Sequence, residues 1–354
     1  MAADPELSSL IDAHRRRSEP AWIERIPVAY WVVGVVLLAM PAFAGNFVLF
    51  QIFGWTFILG TIACSLMFLA GYGGMVSLAQ MTFAGVAGYM VAILGDSAVD
   101  GISQGWPWFV VIPAALVIAV LFATAIGWLA VRTEGIYTIM ITLAIAAAFF
   151  YFTRQNYEIF NGFSGFNRVL PPEVFGVDWR GAAPFYYLTL FWAAATYFAV
   201  LYVRKAPFGL ALQGLRDNPR RMAALGYNVT AHRVAAYAVS AVPAGIGGIL
   251  LTWQSAQISP GTVGIQPAID ILVIAVVGGL RHPVGAFIGA FLYVLLKTFA
   301  VDLLIAVGLG GERFQLLIGL GFLLVVLFSP DGLLGLWDRL REAGRTDRLT
   351  GRRR

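Results

Sequence analysis

Apolar residues fill this chain in blocks of about one membrane-crossing helix each, and polar positions gather in the gaps between them. A helix needs roughly 20 apolar residues to cross about 30 Å of hydrocarbon. On that measure the pattern predicts ten spans, near 27–45, 47–70, 76–95, 107–131, 135–153, 184–203, 234–253, 265–280, 284–302 and 313–329. The third is rich in glycine and the eighth is short. Each is a candidate for a broken or re-entrant helix, which survives only where protein shields its backbone. The first block is long for a cleaved leader and lacks a clear small-residue cleavage site, so it reads as an uncleaved span. The expected fold class is an all-α integral membrane protein, a polytopic helical bundle of about ten transmembrane spans.

The gaps carry the orientation, because lysine and arginine in short loops mark the cytoplasmic side. Three segments concentrate the arginine and lysine: an N-terminal arm (1–26), which carries "HRRR", a loop (204–233) and a tail (331–354). The predicted spans number six between the first two and four between the last two, so all three fall on one face. Both termini are then cytoplasmic, and the loop 154–183 faces outward, with Arg154, Arg168 and Arg180 balanced by Glu158, Glu173 and Asp178. Between arm and tail lies one transmembrane domain (27–330).

Composition sharpens this picture. Only 12% of residues are charged and 59% are hydrophobic, whereas a soluble domain carries roughly 25% charged residues. A soluble globule of this size is excluded. The net charge of +5 sits in the topological segments, so no nucleic-acid partner is expected. The single cysteine, Cys64, lies inside an apolar run and rules out an intrachain disulfide and a cysteine metal site. No metal is expected. The chain has no G-x-x-x-x-G-K-[ST] phosphate loop, and neither Lys205 nor Lys297 follows a glycine-rich turn. No cofactor is expected in this subunit.

The basic loop contains "NPRRMAALG", which has the parts of a complete short helix. Asn218 is a favoured N-cap, because its side-chain oxygen accepts from unpaired backbone N–H groups. Pro219 suits the first helical position, Arg220 and Arg221 follow, and Gly226 can take the left-handed conformation that closes a C-terminus. Met222, Ala223 and Leu225 give it an apolar face. A positive-inside loop needs no such helix, and a short helix is marginal in water without a packing partner. The expectation is docking into another protein. The preceding "FGLALQGLR" (Phe208 to Arg216) is amphipathic and suits a membrane surface.

The stretch "FGLALQGLRDNPRRMAALGYNVTAHRVAAYAVSA" resembles the cytoplasmic loop and following span of branched-chain amino-acid ABC transporter permeases. "GYGGMVSLAQMTFAGVAGYM" (Gly71 to Met90), "RTEGIYTIMITLA" (Arg132 to Ala144) and "VVGGLRHPVGAFIGAFL" (Val276 to Leu292) are similar to the same family in the same order. The second of these and the extended N-terminus resemble the longer, LivM type of permease. The resemblance implies a heteromeric importer in a bacterial-type inner membrane. It implies a second, LivH-like permease subunit, two ATPase subunits that bind ATP and Mg, an extracytoplasmic binding protein and an amino-acid substrate. Asn218–Gly226 then corresponds to the coupling helix that seats in the ATPase. Urea and short amides are alternative substrates within similar permeases.

Other residues carry weaker signals. Ser77 and Gln80 lie three apart and Thr138 and Thr142 four apart, so each pair shares a helical face. They are candidates for the translocation path or for joining helices. The glycines from Gly71 to Gly88 and from Gly278 to Gly289 suit close helix packing or the lining of the path. Lys297 and Asp270 are intramembrane charges, functional candidates by default, although Lys297 stands near Asp302 and the outer surface, where snorkelling or pairing would hold it. "GFSGFN" supplies Gly162, Ser164 and Gly165 as candidate outer-loop contacts or as a structural turn. Two rivals remain from other classes. A secondary transporter would need mid-membrane carboxylates, of which none is convincing. A rhomboid-like intramembrane serine protease would need Ser164 and His282 together, which the topology places on opposite faces.

Overall fold

The computed structural model describes residues 28–306, apart from 100, 134, 174, 175 and 177, together with 319, 332 and 333. The expected arm 1–26, and all but single residues of the tenth span and of the tail, lie outside them. The chain divides into two units, residues 1–45 and 46–354. The first contributes helix α1 (Val28–Phe43), at the place of the first expected span.

In the second unit, α2 is a continuous helix over Val48–Tyr72, α-helical at Trp55–Met67 and widened to π-turns at Val48–Gly54 and Phe68–Tyr72. Then follow α3 (Gln80–Leu94), α4 (Trp108–Ala130), α5 (Ile136–Gln155), α6 (Tyr157–Phe160), α7 (Ala182–Lys205), α8 (Pro207–Asp217), α9 (Pro219–Ala224), α10 (Val229–Ser255), α11 (Ile265–Gly278) and α12 (Pro283–Ala306). Two-residue strands, β1 (Phe166–Asn167) and β2 (Gln257–Ile258), pair antiparallel. They tie the loop 154–183 to the connection between α10 and α11.

Helices stand at all nine expected positions that fall among the described residues, but two differ in form. The third begins only at Gln80 and spans 15 residues, about 22 Å at 1.5 Å per residue, short of the hydrocarbon core. Residues 74–79 before it are non-helical. The eighth and ninth form a pair bent by 118° at the break between Gly278 and Pro283. Among the described residues five helices are individually long and apolar enough to cross a membrane, or six if the bent pair is one span. Both departures fall on the segments whose glycine content or length marked them in the sequence.

The core is centred on α10, which packs against α2, α3 and α4. In lipid the helices gain little from hydrophobic exclusion, so close van der Waals contact decides their association. On α4 the buried positions Val111, Ala115, Ala119, Ala123 and Gly127 recur every fourth residue, while Val117, Leu121 and Trp128 are exposed on the other side. The small stripe lets α10 approach. The approach to α3 is closer still: a Cβ at Gly248 would stand 1.9 Å from the Ala84 carbonyl oxygen. Only glycine fits there.

Candidate functional site

At one end of the bundle, α8 and α9 form a compact hairpin. Asn218 caps α9 as its residue type predicts: Oδ1 accepts from the Arg221 N–H at 3.0 Å, with Pro219 at the first helical position. The other end closes in a Schellman motif. Tyr227 N–H donates to the Met222 carbonyl at 3.1 Å, Gly226 N–H donates to the Ala223 carbonyl at 3.0 Å, and Gly226 holds φ +89°. Both ends are satisfied locally, so α9 keeps its shape with no buried residue of its own.

The expected apolar face of α9 divides in two. Met222 turns inward, so close over α8 that a Cβ at Gly214 would lie 2.8 Å from its sulfur. Ala223 and Leu225 are exposed, Leu225 at 67%. Arg220 and Arg221 are exposed beside them. Met222 is therefore an internal anchor rather than part of the outward surface, because a glycine of α8, Gly214, stands opposite it.

Beneath this hairpin, α8 buries Ala211, Leu212 and Leu215. Its last turn reaches the glycine corner that ends α2. Arg216 lays its stem on Gly74, which has φ +67° and where a Cβ would meet the Arg216 Cγ at 2.6 Å. One Nη of Arg216 donates to the Gly71 carbonyl. On the far side a Cβ at Gly71 would stand 2.0 Å from the Leu280 carbonyl oxygen, in the bend between α11 and α12. Arg204, from the end of α7, sits over the Tyr72 ring at 5.7 Å. Four elements thus meet at Gly71–Gly74. The sequence marked these glycines for packing but gave no sign of Arg216 as their partner, since 142 or more residues separate them. A cavity of about 180 Å³ adjoins the corner, walled by Gly74, Thr138, Pro219 and Arg233 among others.

The bend itself is held by His282. Its Nδ1 accepts from the Val284 N–H at 3.3 Å and its carbonyl accepts from Gly285 N–H at 2.9 Å, capping α12. Partial burial, and secondarily the nearby Arg204 charge, hold its pKa below the ordinary 6.5.

The four candidate path residues are buried, and their bonds run within the protein. Ser77 Oγ accepts from the Ala79 N–H at 3.2 Å, and Thr142 Oγ1 accepts from the Leu78 N–H at 3.1 Å. Both support the non-helical stretch before α3, supplying the polar partners that lipid lacks. Thr142 also donates to Thr138 O at 3.0 Å, and Thr138 donates to Thr133 O at 2.9 Å. Gln80 Oε1 accepts from Ser65 Oγ at 2.9 Å. Of the four, only Thr138 lines either of the two cavities described.

In the loop expected to face outward, Gly162 and Gly165 are buried, at φ +57° and +63°, while Ser164 and Phe163 are exposed. Gly162 lies under the Tyr157 ring, and a Cβ at Gly165 would stand 2.2 Å from the Ile258 carbonyl oxygen. The glycines shape the loop, and Phe163, which the sequence did not single out, is 68% exposed at its surface. Ser164 belongs to a turn that packs on Pro260–Val263, ahead of α11. His282 follows the other end of α11. The 14 residues of that helix separate them by about 21 Å, too far for a dyad.

Together these features define an all-α, polytopic membrane protein with a self-capped, basic helix at one end of its bundle. The chain belongs to the family described as the branched-chain amino acid transport system / permease component, whose model matches residues 48–327. It is 22% identical over 296 residues to the high-affinity branched-chain amino acid transport system permease proteins LivM of Salmonella typhimurium and Escherichia coli, a match that covers 77% of this chain. It spans about 65% of the length of those two relatives. To a probable branched-chain amino acid transport permease protein LivH of Methanocaldococcus jannaschii it is 31% identical over 151 residues, covering 40% of this chain and 45% of that one. No solved structure matches the chain.

Proposed function

We propose that this chain is one of two unlike permease subunits of an ABC importer for branched-chain or related amino acids, set in the inner membrane with both termini cytoplasmic. Its partners are a LivH-like permease, two ATPase subunits that bind ATP and Mg, and an extracytoplasmic binding protein. The chain itself catalyses no reaction and holds no nucleotide. The observation that carries this reading is α9: a helix capped at both ends, anchored inward by Met222, with Arg220, Arg221, Ala223 and the following Leu225 exposed. Such a helix keeps its shape when pressed.

Work enters by contact. Closure of the ATPase pair moves α9, and Met222 over Gly214 carries the displacement into α8. Arg216 and Leu212 pass it to the Gly71–Gly74 corner, where α2, the end of α7 and the α11–α12 bend meet. Reorientation of those helices exposes the path to alternate sides.

Reconstitution of the four kinds of subunit tests this. Pro219→Leu, or Arg220→Glu with Arg221→Glu, should cut leucine uptake about tenfold or more, while insertion and nucleotide hydrolysis persist. A factor of ten corresponds to about 1.4 kcal/mol. Normal uptake in both variants at normal abundance removes the coupling role.

A further inference from the structure

Two charged side chains inside the apolar helices take no part in the coupling end. Asp270 lies in the second turn of α11, and Lys297 lies well inside α12. Charges at such positions are costly unless they pair or face a polar space. These two form no ion pair with each other. Both instead line one cavity of about 210 Å³. The 118° bend between α11 and α12 folds the two helices together and brings these positions, 27 residues apart in sequence, to the same cavity.

The cavity has three chemical parts. Asp270 is an anion, oriented by Gln266 Nε2, which donates to its Oδ1 at 3.0 Å. Lys297 is a cation, with Nζ 6.0 Å from the centroid of the Tyr293 ring. Trp55, Leu59, Leu251 and Ile271 supply an apolar wall. At about 210 Å³ the space is below the roughly 300–1,000 Å³ of drug-sized sites, and suits a solute of amino-acid size. A lone cation or anion would leave one of the two charges unmatched. A zwitterion with an aliphatic side chain uses all three parts.

We propose that this cavity is a substrate site in which Asp270 receives the α-ammonium of the transported amino acid, Lys297 receives its α-carboxylate, and the apolar wall takes the side chain. This deepens the importer reading and rests on it. The cavity lies toward the end of the bundle that carries Pro260–Val263, away from the glycine corner, so substrate and motor act at opposite ends. Lys297 is exposed on the same helix as Phe291, Leu292 and Phe299. The site is therefore open on that side.

The test uses the complete transporter in proteoliposomes and a diazirine analogue of leucine as photolabel. Label is expected on Trp55, Leu59 or Leu251, displaced by leucine and by neither 3-methylbutylamine nor 4-methylpentanoate, which each lack one charge. Asp270→Asn and Lys297→Met should each lower uptake at saturating binding protein by about 10- to 100-fold, with binding-protein-stimulated hydrolysis retained. Asp270→Glu should recover part of the loss. The double variant Asp270→Asn/Lys297→Met separates the roles: recovery of uptake means the charges only offset one another, and overturns the site. Label confined elsewhere in an active transporter overturns it too. Should a single variant lose hydrolysis along with uptake, the wild-type labelling pattern decides. If the wild-type assembly moves no amino acid, the importer reading fails, and labelling of the chain still decides the cavity.

Discussion

Helices α9 and α10 are separated by four residues and are held by opposite means. Six-residue α9 buries nothing and keeps its form through an asparagine cap, a proline and a Schellman glycine. Across the intervening residues, α10 runs for 27 residues with fourteen of them buried, and its position depends on Gly248, which touches the backbone of α3. The contrast separates a helix shaped by its own caps from one shaped by its neighbours, which is what the proposed coupling requires. A locally closed helix presents a fixed shape outward, and a helix whose contacts are all with its neighbours cannot shift without them. Between the two stands a small aromatic joint, Phe208 stacked on His232 at 6.0 Å and Tyr227 edge-on to it at 5.5 Å.

The comparison breaks most severely in the core. Gly248→Leu must push the Ala84 carbonyl aside, and with it the α3 backbone. Overpacking a well-filled core typically costs about 1–3 kcal/mol, more when backbone must move. The variant should fail to accumulate in the membrane or lose its single peak in size exclusion after mild extraction. Gly34→Leu, where nothing lies within 4 Å, should leave both unchanged. Equal behaviour of the two would mean that α10 is not fixed by this contact.

A smaller effect separates the regions without damaging either. Arg216→Ala removes the hydrogen bond to Gly71 O and the stem that covers Gly74, leaving α9 capped and α10 packed. Its ion pair with Asp217 at 2.9 Å is between exposed side chains and contributes little. Loss of about 1 kcal/mol of coupling, roughly fivefold, is expected in uptake per nucleotide hydrolysed. An unchanged ratio would leave the glycine corner a packing feature only.

Legibility follows the same division. The cap residues of α9 were readable because Asn218, Pro219 and Gly226 act on backbone within a few positions of themselves. Helix positions were readable because lipid imposes length and apolarity on each span. What sequence could not show are contacts between distant segments. Met222 groups in sequence with Ala223 and Leu225 as one apolar face, and nothing local announces Gly214 opposite it. Ser77 and Thr142 read in the sequence as groups of the path or as links between helices. In the structure their hydroxyls accept from the Ala79 and Leu78 N–H groups, at a break that periodicity alone does not locate. Arg216 and the Asp270–Lys297 cavity depend on chain reversals, and the 118° bend behind the second is not encoded by any turn signature beyond Gly278, Gly279 and Pro283.

The smallest expected effect tests whether the boundary between moving and packed regions responds to pH. His282 has a folded pKa below 6.5, caused first by burial and then by Arg204. Tyr197 faces its ring at 6.2 Å, and Arg281 precedes it. With the folded value lowered, the unfolded state binds more protons throughout the interval between the two values. Stability at the bend is therefore complete above about pH 6.5 and declines as pH falls toward the folded value. Protonation also removes the Nδ1 lone pair that accepts from Val284 N–H at 3.3 Å, so the loss is local to the cap of α12. The wild type should show a lower melting temperature at pH 5 than at pH 7.5. His282→Gln, which keeps an acceptor without a titrating ring, should reduce that difference while changing the value at pH 7.5 by little. If the variant keeps the full pH dependence, another group titrates, and the bend is held as firmly as the core it joins.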